Sequence, residues 1–304
     1  MPALERHLEM ANAYEGDFRR RVESIGPTRF LPGTSIEIVR EVRLAQPPRF
    51  VLLDFDGTLS LVREGWQSIM IPMMVELLQE TRSGETTEAL TRTVQDFVYE
   101  LTGKQTVYQM IRLAEEIGKR GGRARDPLEY KKMYHDRLMA RIHDRREALR
   151  NGTADPESML VPGTLSMLRE LQTRGVRMFL ASGTDERYVL EEARLLTLDP
   201  FFGRHMYGAL DDHTSFSKQM VIDRILRENS VPGASLLGFG DGFVEIDNVK
   251  SSGGIAVGVA TDETQRSGRP DEWKRDRLIG VGADVIVPDF RESSRLIGYI
   301  WEGA

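Results

Sequence analysis

Cysteine is absent from the 304 residues of this chain. That excludes disulfides, thiol nucleophiles and thiolate-bound metal, and it fits a reducing compartment. Histidine is scarce, with five residues and no metal-ligand spacing among them. No apolar run approaches the ~18 residues of a membrane span. The first residues, Met1–His7, lack the basic-then-apolar order of a secretory signal. A soluble cytoplasmic protein, with no membrane partner, is expected. Basic charge is in deficit, and the formal net charge of −6 argues against a nucleic-acid partner, because phosphate backbones select basic surfaces. Internal repeats and low-complexity tracts are missing as well. What remains is an ordinary globular composition in a chain long enough for a sizeable core, with two domains favoured over one.

The chain is organised around Phe50–Leu59. Four apolar residues, Phe50 to Leu53, run into Asp54-Phe55-Asp56-Gly57-Thr58. A short apolar run closed by Asp and Gly reads as a buried parallel strand, and open α/β sheets bind ligands beyond the carboxyl ends of such strands. Asp54 and Asp56 are therefore expected at the mouth of a site. The blander reading of the same residues is an Asx-turn or a helix cap.

Beyond Leu59 the pattern becomes helical. One face carries Trp66, Ile69, Met70, Met73, Met74, Leu77 and Leu78, with Pro72 expected to kink or shorten that helix. Further stripes run over Leu90–Leu101, Val107–Ile117 and Tyr130–Ile142. Methionine in such stripes reads as core packing. The basic run Lys119–Arg125 reads as a solvated loop between two of these helices.

The α/β pattern resumes near Val161. Strands are expected at Val176–Ala181, Leu236–Phe239, Gly254–Val259 and Val285–Val287, with helices between them and a closing helix through Trp301. Alternating strands and helices imply a doubly wound parallel sheet with right-handed crossovers. The helical block is then an insertion after the first strand. The boundaries read as an extension over 1–46 packed on the core, a core of 47–60 and 159–304, and a helical domain of 61–158. Within the extension, residues 4–22 show mixed helical periodicity, residues 34–44 resemble a strand, and Pro47-Pro48 breaks the chain.

Three strand ends carry polar residues, Asp54/Asp56, Ser182 and Asp241, and Lys218 stands at a helix start. Carboxylates with little histidine suit a hard cation such as Mg²⁺. Hydroxyls and helix-start N–H groups suit phosphate oxygens, and a lysine offsets crowded negative charge. A carboxylate can attack phosphorus, while a neighbouring carboxyl donates a proton to the leaving oxygen and then activates water. The residue types point to phosphoryl transfer.

Asp54-Phe55-Asp56-Gly57-Thr58 resembles the first motif of the haloacid dehalogenase superfamily. Ser182, Lys218, and Gly240-Asp241-Gly242 with Glu245 resemble the other three, in order. The helical insertion is similar to the cap of the phosphoglycolate-phosphatase and β-phosphoglucomutase-like branch. The resemblance implies Asp54 as nucleophile and metal ligand, and Asp56 as general acid/base whose carbonyl reaches the metal. It assigns Gly57 and Thr58 to phosphate binding, Thr58 also ordering the loop. Ser182 and the Gly183 N–H hold phosphoryl oxygens, and Lys218 neutralises charge. Asp241 is a direct metal ligand and Glu245 holds a metal-bound water, with Asp247 as a substitute. Gly103 and Lys104, in the turn Thr102–Gln105, and Arg63 at the hinge are expected to meet the leaving group. An acid at position 56 implies cleavage or transfer of phosphate esters. The expected function is a Mg²⁺-dependent phosphatase of a small soluble ester, such as a sugar phosphate or phosphoglycolate-like acid, acting as a monomer or homodimer. The alternatives are a phosphomutase and a non-catalytic phospholigand-binding regulatory protein.

Overall fold

The structure is a computed structural model that describes residues 18–22, 26–210 and 212–302. The helical expectation for residues 4–22 falls mostly outside these, and 18–22 carry no helix.

Six parallel strands form the body of an eight-stranded sheet. In chain order these are β3 (Phe50–Leu53), β4 (Arg177–Asp185), β5 (Met206–Ala209), β6 (Leu236–Gly240), β7 (Ile255–Val259) and β8 (Val285–Val287). Two antiparallel strands, β1 (Arg29–Phe30) and β2 (Glu37–Ile38), extend the β8 edge, giving the order β1-β2-β8-β7-β6-β3-β4-β5. β3 is central, pairing with β4 on one side and β6 on the other. Its side chains alternate between two layers. Val51 and Leu53 join one core cluster, and Phe50 and Leu52 the other, as the two-residue period of a strand requires. Both layers exclude water, so the strand reads as a continuous apolar run. From β3 the chain winds outward through β4 and β5, then returns to β6 and winds the other way. The order reverses between β3 and β6, where a doubly wound sheet opens its ligand crevice.

Between β3 and β4 lie four helices, α1 (Gln67–Gln79), α2 (Thr87–Glu100), α3 (Thr106–Lys119) and α4 (Pro127–Arg150). Local chemistry sets their starts. The Thr86 side chain accepts from the Ala89 N–H, and Asp126 caps α4 by accepting from the Leu128 N–H, with Pro127 next. The helix α1 continues past Pro72 to Gln79 rather than ending there, because its apolar stripe buries Met73, Met74, Leu77 and Leu78. The remaining helices flank the sheet: α5 (Thr164–Thr173), α6 (Glu186–Leu195), α7 (Asp199–Phe202), α8 (Lys218–Asn229), α9 (Phe243–Ser251), α10 (Glu272–Gly280) and α11 (Ser293–Glu302). Among the described residues no helix is long and apolar enough to cross a membrane.

The sheet contains two strands without an expected counterpart, β1 and β5, while β2 falls within residues 34–44, where a strand is expected. β5 is short and contains a glycine, which conceals a strand pattern. Residues 29–38 contribute two-residue strands that exist only through their pairing. Residues 28–38 are fastened by a part-buried ion pair. Glu37, 2% exposed, accepts from Arg275 at 2.6 and 2.5 Å and from the Thr28 hydroxyl at 2.6 Å. Burial raises the Glu37 carboxyl, but Arg275 and Thr28 outweigh it and hold the group below the usual carboxylate range. A depressed carboxyl stabilises the fold above its unfolded value near pH 4.3, and that contribution is lost as pH falls through its folded value. Arg275→Met strands the buried carboxylate and is expected to cost roughly 2–4 kcal/mol. Urea unfolding at neutral pH measures this, and an unchanged midpoint would refute it.

Candidate active site

The carboxyl ends of β3, β4 and β6 converge on one cavity of about 110 Å³. The Asp54 N–H donates to the Phe239 carbonyl at 3.0 Å, so the strand pairing carries this residue to the rim. The chain then folds tightly, with the Leu59 and Ser60 N–H groups both donating to the Phe55 carbonyl at 2.8 and 2.9 Å. Gly57 sits in this turn at φ 75°. A Cβ there would lie 2.2 Å from Asp241 Oδ2, so only glycine fits. Next to it, Thr58 accepts from the Asp241 N–H at 2.9 Å and donates to Asp241 Oδ1 at 3.3 Å. The hydroxyl thus ties the β3 loop to the β6 loop.

Ser217 caps α8 by accepting from the Met220 N–H at 3.2 Å, and Lys218 is the first helical residue. Its ammonium, 2% exposed, donates to Asp54 Oδ1 at 2.9 Å and to Glu245 Oε2 at 2.7 Å. The other Glu245 oxygen accepts from the Gly242 N–H at 2.6 Å. Burial alone would lower the Lys218 ammonium, but Asp54 and Glu245 overcome it and hold the charge on nitrogen. Burial pushes the Asp54 carboxyl well up; Lys218 opposes this, while Glu245 and Asp241 add to it. Asp56 has a different neighbourhood. Its Oδ2 accepts from the Thr184 hydroxyl at 2.8 Å and lies 3.4 Å from the Ser182 hydroxyl. Burial, opposed by Arg63, pushes this carboxyl up to about 6. Two neighbouring carboxyls therefore sit in environments that separate their tasks.

Oxygen atoms of Asp54, Asp241 and Glu245 lie within 4.8 Å of one another. Three carboxylates with no nitrogen or sulfur donor match a hard divalent cation. Their mutual repulsion, which adds to the rise that burial imposes on Asp54, is what such a charge would relieve. The residues fit Mg²⁺.

The turn that precedes α3 closes over this cavity. Thr102, Gly103 and Lys104 line it with Thr106 and Gln109 of α3, Trp66 just before α1, Met70 from α1, and Tyr134 from α4. The Lys104 ammonium lies 5.2 Å from the Tyr108 ring centroid. Backbones meet closely here. A Cβ on Gly183 would lie 2.9 Å from the Lys104 carbonyl, and one on Gly103, at φ 101°, 3.1 Å from the Gly242 Cα.

The cavity thus brings together Asp54, Asp56, Ser182, Gly183, Lys218, Asp241, Gly103 and Lys104. Three expectations need correction. The Thr58 hydroxyl is fully buried and engaged with Asp241, so it orders the loop but does not face a phosphate. Asp247 pairs with Arg21, away from the carboxylate cluster. Arg63 lines the cavity, yet its guanidinium is forked onto the buried Glu192 rather than left for a leaving group. Two functional neighbours went unnoticed in the sequence. Thr184, two residues after Ser182, had a visible signal in its hydroxyl at the same strand end. Lys274 had none. Its ammonium donates to Asp241 Oδ2 at 2.8 Å and Glu263 Oε1 at 2.6 Å, and only the fold brings these residues together.

A family model described as a haloacid dehalogenase-like hydrolase matches residues 48–253. The chain belongs to this family. Membership makes it an enzyme of the hydrolase type, within a family whose chemistry includes phosphoryl transfer. Among solved structures, similar ones include a predicted phosphatase from Clostridium acetobutylicum, with TM-score 0.54, 15% identity, and coverage of 83% of this chain and 99% of that one. A predicted phosphoglycolate phosphatase from Haemophilus somnus 129PT gives 0.53 and 16%, covering 82% and 97%. A family hydrolase from Deinococcus radiodurans R1, solved with bound phosphate and sodium, gives 0.51 and 15%, covering 84% and 96%. At these identities the likeness is one of fold. No curated protein matches the chain.

Proposed function

We propose that this enzyme is a Mg²⁺-dependent phosphomonoesterase for a small soluble ester. The observation that carries the reading is the convergence of Asp54, Asp56, Ser182, Lys218 and Asp241 on one cavity. In this reading residues 61–158 form a cap over a core of 47–60 and 159–304, with 1–46 as an extension. Asp54, Asp241 and the Asp56 carbonyl would hold Mg²⁺, which would supply positive charge to a phosphoryl oxygen. Glu245, which shares the Lys218 ammonium with Asp54, would hold a metal-bound water and steady Lys218.

An Asp54 oxygen attacks phosphorus while the bond to the leaving oxygen breaks, and Asp56 delivers its proton to that oxygen. Water then attacks the aspartyl-phosphate. Asp56 takes the water proton, the bond to Asp54 breaks, and phosphate is released. Ser182 and the Gly183 N–H hold the equatorial oxygens, and Lys218 offsets charge on Asp54 and the phosphoryl group.

A mutase must shield its intermediate from water and hand the phosphoryl group back to the bound leaving group, whereas hydrolysis asks only for water, so hydrolysis is the simpler reading. Lys104 and Gly103 meet that leaving group, which suits an anionic or hydroxylated one. Phosphate release from a panel of sugar phosphates, phosphoglycolate and nucleotides tests the reading, with Mg²⁺ and with a chelator. The expected result is release from small esters that the chelator stops and added Mg²⁺ restores. Undiminished turnover in chelator would remove the metal from the proposal. An isomerised ester without free phosphate would move the mutase ahead.

A further inference from the structure

Arg63 stands where the chain leaves the Asp56 loop for the helical block. Its Nε and Nη2 donate to Glu192 Oε2 and Oε1 at 3.0 and 2.8 Å, a fork that fixes the plane of the guanidinium. Glu192, on α6, is fully buried. The same Nε lies 3.7 Å from Asp56 Oδ1, too far for a hydrogen bond but close enough to hold the carboxylate by charge. Oδ1 is buried without a hydrogen-bond partner among the described residues, whereas Oδ2 is taken by Thr184. Oδ1 thus faces the Arg63 guanidinium, and Oδ2 the hydroxyls of β4.

The guanidinium is braced from other directions. It lies 5.7 Å from the Tyr188 ring centroid. Arg145 of α4 donates to the Val62 and Glu64 carbonyls, both at 3.0 Å, gripping the main chain on either side of Arg63. Arg146 of the same helix pairs with Glu191 at 2.5 Å and approaches Glu192 at 3.9 Å. The charge beside Asp56 is therefore seated jointly by a helix of the α/β part and by the last helix of the inserted block.

We propose that Arg63, locked by Glu192, is a positioning residue that aims the Asp56 carboxyl at the leaving-group oxygen and ties that aim to the seating of the helical block. This rests on the phosphomonoesterase reading, which is checked first by wild-type turnover of p-nitrophenyl phosphate and of the fastest aliphatic ester in the panel. If neither is hydrolysed, that reading falls and this inference with it. The comparison then uses kcat/KM, which extends only through departure of the leaving group. p-Nitrophenolate departs without a proton, whereas an alkoxide requires one. Arg63→Met is expected to lower kcat/KM for the aliphatic ester by about 10²-fold, the scale of a general-acid contribution, and for p-nitrophenyl phosphate by far less. Arg63→Lys keeps the charge without the fork and should recover part of the loss.

Because Arg63→Met strands a buried carboxylate and its folding can suffer, Arg63→Met with Glu192→Leu provides a second test. Replacing both partners with apolar groups preserves folding in many buried pairs. The double variant should melt cooperatively and retain the aliphatic defect. Equal losses on both esters, or recovery in the double variant, would make the pair merely structural and overturn the inference. In the Asp54→Asn background, the dissociation constant of the aliphatic ester should not change with Arg63→Met. A weakened affinity there would make Arg63 a substrate contact instead and would also overturn it.

Discussion

Asp54→Asn is expected to remove turnover, lowering kcat by at least ~10⁴-fold, the scale seen when an enzyme loses its nucleophile. Three features of the site make this the cleanest of the expected losses. The amide has the shape of the carboxyl and its oxygen can still accept from Lys218, now 2.9 Å from Asp54 Oδ1. It lacks the charged oxygen that would attack phosphorus. It also removes one of three crowded carboxylates, whose repulsion by Glu245 and Asp241 adds to the rise of Asp54. The variant should therefore melt at or above the wild-type temperature while releasing no phosphate. Mass spectrometry of acid-quenched enzyme with substrate supplies the chemical readout. A phosphoryl group should appear on the wild-type peptide containing Asp54 and be absent from the variant. A variant that keeps full activity would eliminate covalent catalysis through this residue.

Lys218→Met should be nearly as damaging, by a different route. The ammonium is the shared partner of Asp54 and Glu245. Without it two buried carboxylates face each other, and breaking a buried pair in this way costs roughly 3–5 kcal/mol. The Asp54 carboxyl, which burial already raises, can escape part of the penalty by taking up a proton. Its folded-state value lies above its unfolded one, so the folded form binds more protons and stability declines as pH rises. The deficit relative to wild type should accordingly be smaller near pH 5 than near pH 8, in denaturant titrations at about those two values bracketing the range where raised carboxyls ionise. Turnover should also collapse, because the variant's Asp54 is more readily protonated and the phosphoryl charge is less well offset. A pH-independent loss of stability would refute the charge argument and leave only lost packing.

The legible part of this protein was the part written locally. Phe50–Leu53 announces a strand by its apolar run, and Asp54 and Asp56 announce its end. Ser182 and Asp241 are placed by the same logic at two other strand ends, and Lys218 by its position behind a capping serine. Strand pairing then brings these separate endings to one rim without further instruction. What stayed hidden depends on distance in sequence. Arg63 reads as a hinge cation free for a substrate until α6 supplies Glu192, 129 residues later. Lys274 reads as a surface lysine of an amphipathic helix until β6 and the loop after β7 close around it. The Thr58 hydroxyl was misjudged for a related reason. Its role depends on Asp241, 183 positions away, and not on the loop in which it sits. β1 has too few residues to carry an alternating pattern, and of the strand-like stretch 34–44 only Glu37–Ile38 pairs; β2 becomes a strand because β8 offers an unpaired backbone, and β1 because β2 does.

That last pairing has a wider meaning for the molecule in solution. β8 is Val285-Ile286-Val287, an entirely buried β-branched strand. Left at the margin of the sheet, its free N–H and C=O groups would be a template for another chain. β2 occupies that margin with Glu37 turned inward, and β1 follows with only two exposed residues, one of them Arg29. Short, charged outer strands of this kind are poor templates for further growth. Two short strands that lie outside the cavity's described lining are thus suited to guard the sheet margin against edge-to-edge pairing, a matter of the concentration at which the enzyme can exist rather than the rate at which it turns over.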